Sequence, residues 1–195
     1  VPSWIDLTNE RISIIDHKEI MPREALPSFS STAIEWCIDN IPGLSEYFLL
    51  ANDDTFIGRE ATPMDFYTLD GYPIVRLRKR HKSKKSAETQ YMKTLFKSQK
   101  IIEKMLGQTY SYIPHHNIDA YRLSDFKVCK TLFAEEVEQT ICRHIRHEED
   151  LQRATILYYA MAMGHGKMKL MGRYNKKASL GNRIKGTLQG RFYYD

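Results

Sequence analysis

Asn52-Asp53-Asp54 closes a continuous apolar run, Tyr47-Phe48-Leu49-Leu50-Ala51. Adjacent carboxylates repel each other, so such a pair is favoured where a cation neutralises it. Mg²⁺ or Mn²⁺ holding a phosphate is the usual cation, because hard ions prefer carboxylate oxygens. Acids in a solvated turn after a strand are the plainer reading of an isolated Asp-Asp. The functional reading is phosphate chemistry, with Asp53 and Asp54 as metal ligands and Asn52 beside them.

Two further groups could share that chemistry. His115 and His116 follow Pro114 in a loop, and an imidazole with an ordinary pKa of about 6.5 suits proton transfer near neutrality. Arg146, within Arg143-His144-Ile145-Arg146-His147, stands just before Glu148-Glu149-Asp150. It reads either as a salt-bridge partner of those acids or as a two-pronged clamp on phosphate, which the planar guanidinium fits better than an ammonium does. Arg59, after Gly58, reads as an exposed arginine or as a contact to a diphosphate near Asp54.

The elements that must position these groups follow from pattern. An unbroken apolar run suggests a strand covered on both faces, as in a parallel α/β sheet. Asp53 and Asp54 would then lie at its carboxyl end, where such sheets bind ligands. Arg11 to Ile15 reads as another strand. Thr32 with Glu35 forms a capping-box pattern for a helix carrying Ile34, Ile38 and Ile41 on one face and stopped by Pro42-Gly43. A long helix is expected from Ser86 to Leu106, stopped by Gly107, with Tyr91, Leu95, Ile102 and Met105 as its stripe. Tyr121 to Phe133, Glu135 to Arg143 and Glu148 to Met163 also read as helical. From Gly164 onward, glycines recur among Lys and Arg, which suggests a basic tail over 164–195 after a domain over 1–163.

With 195 residues, 42% of them hydrophobic, the chain can bury one sizeable core. No apolar run approaches the roughly 20 residues that span a bilayer. Cys37, Cys129 and Cys142 show no metal-type spacing and read as reduced thiols of a cytosolic protein. A net charge of +5 favours anionic partners. Its densest source is Arg76 to Lys85, which resembles a nucleic-acid patch but lacks interleaved aromatics.

Two long blocks of text resemble the Stealth family of sugar-phosphate transferases, which includes capsular and exopolysaccharide phosphotransferases. The first runs from Ile12 through Asp16-His17-Lys18-Glu19-Ile20, Leu26 to Glu35 and Ile41 to Ser45. It continues to Phe56-Ile57-Gly58 and Pro63-Met64-Asp65-Phe66-Tyr67. It is similar to the family's second conserved region. The other, Pro114-His115-His116-Asn117-Ile118, Glu135-Glu136 and Arg146 to Gln152, is similar to the third.

The resemblance implies a Rossmann-like, glycosyltransferase A-like core with a mainly helical C-terminal half. It singles out His116, whose spacing to Arg146 matches the family's, and places His17 in the pattern as a scaffold residue or a ligand contact. Asp54, His116 and Arg146 become the catalytic set, with Asn52, Arg59 and His17 at the substrate. The implied reaction moves a hexose 1-phosphate from a UDP-sugar to a glycan or lipid-linked glycan hydroxyl, with Mg²⁺ or Mn²⁺ as cofactor. No nucleic acid is expected as partner. The implied setting is the cytoplasm, with peripheral contact at the inner face of the membrane as an option. A non-catalytic basic module for nucleic acid or anionic glycan is the alternative. The family's first region has no counterpart here, so the chain is expected to be a piece of a larger transferase.

Overall fold

The computed structural model describes residues 5–79 and 89–171. Their elements in order are α1 (His17–Ile20), α2 (Ser31–Glu35), β1 (Tyr47–Leu50), β2 (Ile74–Lys79), α3 (Gln90–Leu106), β3 (Tyr112–Pro114), β4 (Asp119–Arg122), α4 (Leu123–Leu132), α5 (Ala134–Ile141), α6 (Ala154–Ala162) and β5 (Lys167–Leu170). The class is mixed α/β, as expected. The parallel core is not what these residues build. β1 pairs antiparallel with β4, placing Leu50 opposite Asp119, and the second sheet has the order β3-β2-β5. Among the described residues only β2 and β5 run parallel.

The misreading of β1 has a local cause. Phe48 is buried while Tyr47 and Leu49 are exposed, the alternation of a strand with one face on the core. Tyr47 spends its apolar surface on the turn beyond residue 66 instead, with its ring edge-on to Tyr67 at 5.4 Å. Gly71 sits under it at φ 76°, where a Cβ would stand 2.7 Å from the tyrosine oxygen. Turn geometry and close approach both require glycine there. The Tyr67 hydroxyl reaches the carbonyls of Phe48 at 2.7 Å and Tyr121 at 2.9 Å, so this turn also locks β1 to β4.

Other boundaries shift for similar reasons. Arg11 to Ile15 pairs with no strand, and Ile12 and Ile14 are exposed. The cap of α2 is Ser30, whose Oγ accepts from the Ala33 N–H, and Glu35, the expected box partner of Thr32, accepts from Arg153 instead. The helix read from Tyr121 starts at Leu123, after β4, and the one read from Glu148 starts at Ala154. α3 does end at Gly107, in the left-handed conformation with φ 67°. Its expected start and most of the basic run fall at 80–88, outside the described residues, as does 172–195 of the expected tail. The described part of that tail contains β5, which adds to the edge of β2, so order continues past residue 163.

α6 is buried on nearly every side, from Ala154 to Ala160, and packs between α3 and α4. An aromatic cluster lies beside it. Phe48 stacks on Tyr121 at 5.7 Å, and Trp36 meets Phe126 edge-on at 5.6 Å. The segment 143–153, which carries Arg146, is irregular yet pinned. The Trp36 indole donates to the Leu151 carbonyl at 2.5 Å, and the Leu151 N–H donates to Thr140 Oγ1 at 2.9 Å. Asp150 is buried and accepts from the His147 N–H at 2.7 Å and from Arg143 at 2.9 Å.

Asp150 is therefore the anchor whose loss should be felt most in this loop. Asp150→Ala strands a backbone donor and a guanidinium, so urea denaturation should show a loss of about 2–4 kcal/mol. Asp54→Asn, at an exposed turn, should leave the midpoint unmoved. Equal midpoints for wild type and Asp150→Ala would contradict this role.

Candidate functional site

A cavity of about 370 Å³ opens between α2, the end of β1, the β3–β4 loop, the start of α3 and the segment 143–153. Its position is set largely by Arg76, a buried residue of β2. The Arg76 guanidinium lies over the Phe66 ring at 5.0 Å, donates to the Asp65 carbonyl, and approaches Asn117 Oδ1 and the Ile118 carbonyl at 3.4 Å each. The Arg76 carbonyl accepts from the His115 N–H at 2.9 Å. β2 thereby holds the histidine loop against the Asp65-Phe66 segment that precedes the strand.

Of the expected residues, His116 and Arg146 line the cavity, and Asp54 touches His116 from outside the lining. His116 Nε2 lies 2.9 and 3.0 Å from the two oxygens of Asp54, across 62 positions of chain. Arg146 lines the same cavity and donates to Ser31 Oγ at 2.8 Å. The acids after Arg146 are bound elsewhere: Glu148 to Lys93, Glu149 to Lys97 and Asp150 to Arg143. Of the two readings of Arg146, the salt bridge to those neighbours is therefore not the one realised. Asn52 lines the cavity too, and Arg78 and His147 add to its basic rim.

The remaining expected residues stand away from the lining. Arg59 is exposed and paired with Asp65, and its guanidinium holds that carboxyl down to about 2. His17 is exposed at the start of α1, in a capping box closed by Asp16 and Glu19. Asp53 is exposed beside Asp54. Among the described residues no group of three or more His, Cys, Asp or Glu could hold a metal by protein ligands alone. Magnesium usually takes one or two carboxylates, with waters and substrate phosphate completing its shell. Two adjacent solvent-facing carboxylates fit that mode of binding.

The floor of the cavity holds what sequence reading missed. Arg153, just ahead of α6, donates to Glu35 at 2.5 Å and approaches Asn52 Oδ1 and Asp119 at 3.4 Å each. Tyr121 closes the floor beside them. Burial works against the Arg153 cation, yet the tyrosine and the two carboxylates outweigh it and raise its pKa. Burial likewise raises the Glu35 carboxyl, against the pull of Arg153. A usable signal was present in Asp119-Ala120-Tyr121. Period-two spacing puts its outer residues on one face of a strand.

Burial, opposed by Arg153, pushes the Asp119 carboxyl from 3.8 up to about 6. The folded chain then holds this proton more tightly than the unfolded one. The resulting stability is fully present below about pH 4 and is lost as pH rises through 6. Asp119→Asn removes the titration. Relative to wild type, the variant should gain on the order of 2–3 kcal/mol between pH 4 and pH 7. Urea midpoints at the two pH values check this, and a difference independent of pH would contradict it.

Comparison with known proteins relates the chain to a family. The model of the Stealth protein conserved region 2 matches residues 1–75. The exopolysaccharide phosphotransferase cps2G of Lactiplantibacillus plantarum is 56% identical over 73 residues, covering 37% of this chain and 22% of that protein. The capsular polysaccharide phosphotransferase fcs1 of Haemophilus influenzae is 31% identical over 173 residues, 83% of this chain and 46% of its own length. SacB of Neisseria meningitidis serogroup A, also a capsular polysaccharide phosphotransferase, is 28% identical over 169 residues, 85% of this chain and 31% of its own. The chain thus spans less than half the length of each of these relatives. Both the conserved region at its start and the relatives that extend across the histidine loop and Arg146 lead to one conclusion: the chain belongs to the Stealth family.

Proposed function

We propose that this chain carries catalytic residues of a transferase that moves a hexose 1-phosphate from a UDP-sugar, such as UDP-N-acetylglucosamine, to a glycan or lipid-linked glycan hydroxyl in capsule or exopolysaccharide synthesis. The observation that carries the reading is the contact of His116 Nε2 with Asp54 at the rim of a cavity that also holds Arg146. The names of the relatives support phosphotransfer in polysaccharide synthesis. A purely basic binding module would leave the Asp54–His116 pair without a purpose.

In this reaction the acceptor oxygen bonds to the phosphorus nearest the donor sugar. The bond from that phosphorus to the bridging oxygen breaks, and uridine monophosphate leaves with the electron pair. Asp54 accepts from the Nε2–H of His116 and so fixes the tautomer, which directs Nδ1 to take the acceptor's proton. Arg146 meets charge on the phosphoryl oxygens through a paired contact. Asp53, with Asp54, would hold Mg²⁺ or Mn²⁺, which supplies further charge neutralisation at the diphosphate when bound. The reading places the reaction in the cytoplasm, with peripheral contact at the inner face of the membrane as an option. No helix among the described residues is long and apolar enough to cross a membrane.

Donor carrying ³²P in the phosphate next to the sugar separates this reaction from ordinary glycosyl transfer. In the full-length polypeptide that contains this chain, label should enter the glycan while unlabelled uridine monophosphate is released. His116→Ala should slow that transfer by roughly 10²- to 10⁴-fold, and Arg146→Lys should also damage it, since an ammonium cannot make the paired contact. Label released as uridine diphosphate would mean attack at carbon and would refute the proposal.

A further inference from the structure

The cavity has two ends of different chemistry. Its rim is basic, with Arg146, Arg78 and His116, while its floor sets two carboxylates, Glu35 and Asp119, around one guanidinium. A floor without spare positive charge is a poor place for phosphate. It is equally poor for a metal ion, because the Arg153 guanidinium already occupies the position between the two acids. What the floor offers is hydrogen bonding. Glu35 uses Oε1 and Asp119 uses Oδ2 toward Arg153, and the second oxygen of each makes no hydrogen bond among the described residues.

Tyr121 adds an unmet donor. It is 1% exposed, and its hydroxyl makes no hydrogen bond of good geometry among the described residues. The neighbouring Arg153 can only donate, so the phenol proton in particular lacks an acceptor. Buried polar groups are almost always partnered. Ring packing does not explain the hydroxyl either, since stacking on Phe48 and edge contact with Phe126 would be served by phenylalanine.

A phenolic donor, two carboxylate acceptors and no spare positive charge match a neutral ring bearing several hydroxyls. We propose that the floor is a saccharide subsite, in which Tyr121, Asp119 and Glu35 bind the hydroxyls of a sugar while phosphate stays at the rim. The inference rests on the phosphotransfer reading for the identity of the rim ligand. The sugar is either that of the donor or the terminal unit of the acceptor.

Tyr121→Phe tests it by removing one oxygen. The fold should persist, because the ring and its packing on Phe48 and Phe126 are kept. Calorimetric titrations of the full chain use three probes: uridine diphosphate, UDP-N-acetylglucosamine and a neutral oligosaccharide. If the subsite takes the donor sugar, the variant weakens UDP-N-acetylglucosamine by about tenfold and leaves uridine diphosphate unchanged. If it takes the acceptor, only the oligosaccharide weakens. Should neither nucleotide bind while the oligosaccharide depends on Tyr121, the subsite stands and the phosphotransfer reading falls. Affinities for both saccharide probes that ignore Tyr121, or a loss shared equally by uridine diphosphate, would overturn the subsite.

Discussion

The buried charge of Arg153 is the constraint around which the site is arranged. Taking a guanidinium out of water costs several kcal/mol unless surrounding groups offset it. Here the offset comes from three separate places in the chain: Glu35 on α2, Asn52 after β1 and Asp119 on β4. Arg153 itself stands at the head of α6, the most buried helix among the described residues. Moving any of these elements leaves an ion without its partner in a dry environment. The cost of that misplacement is what fixes the distance between the turn after β1 and the helical half.

From that fixed frame the rim follows. Asn52 touches Arg153, and Asp54 lies two residues further along, at the height where His116 arrives from the β3–β4 loop. Arg76 sets that loop from the other side. Arg146 is carried on a segment that Asp150, Thr140 and Trp36 pin to the core. The segment that bears Arg146 and the loop that bears His116 are thus anchored although irregular, which places their charge at little entropic cost on binding. Acids and one cation are spent on the floor, and basic groups remain for the rim.

How much of this could be read in the residues depended on how local the signal was. The strand ending in Asn52-Asp53-Asp54 was legible because apolar run and acids are contiguous. Its antiparallel pairing was not, since an unbroken apolar run looks the same whether a helix covers its outer face or Tyr47 folds over a glycine turn. Gly107 marked a helix end correctly because its signal is confined to one residue. Glu35 was visible but misassigned: a cap and an ion-pair partner present the same carboxylate, and Arg153 is 118 positions away. The convergence of Asp54 with His116 spans 62 positions and was anticipated only through resemblance to a family. Tyr121 was hidden by a helix expected to start there, and Asp119 was left unassigned before it, although their two-residue spacing suits a strand face.

The account's central claim is that Asp54 acts through His116 as one unit. A double-mutant cycle on ³²P transfer tests it most directly, using Asp54→Asn, His116→Ala and the two together in the full-length polypeptide. Residues that work as a unit are strongly non-additive. The account predicts that the double variant is no slower than the slower single variant, within about threefold. A double variant slowed by the product of the two single effects would show that Asp54 and His116 act independently, and would contradict it.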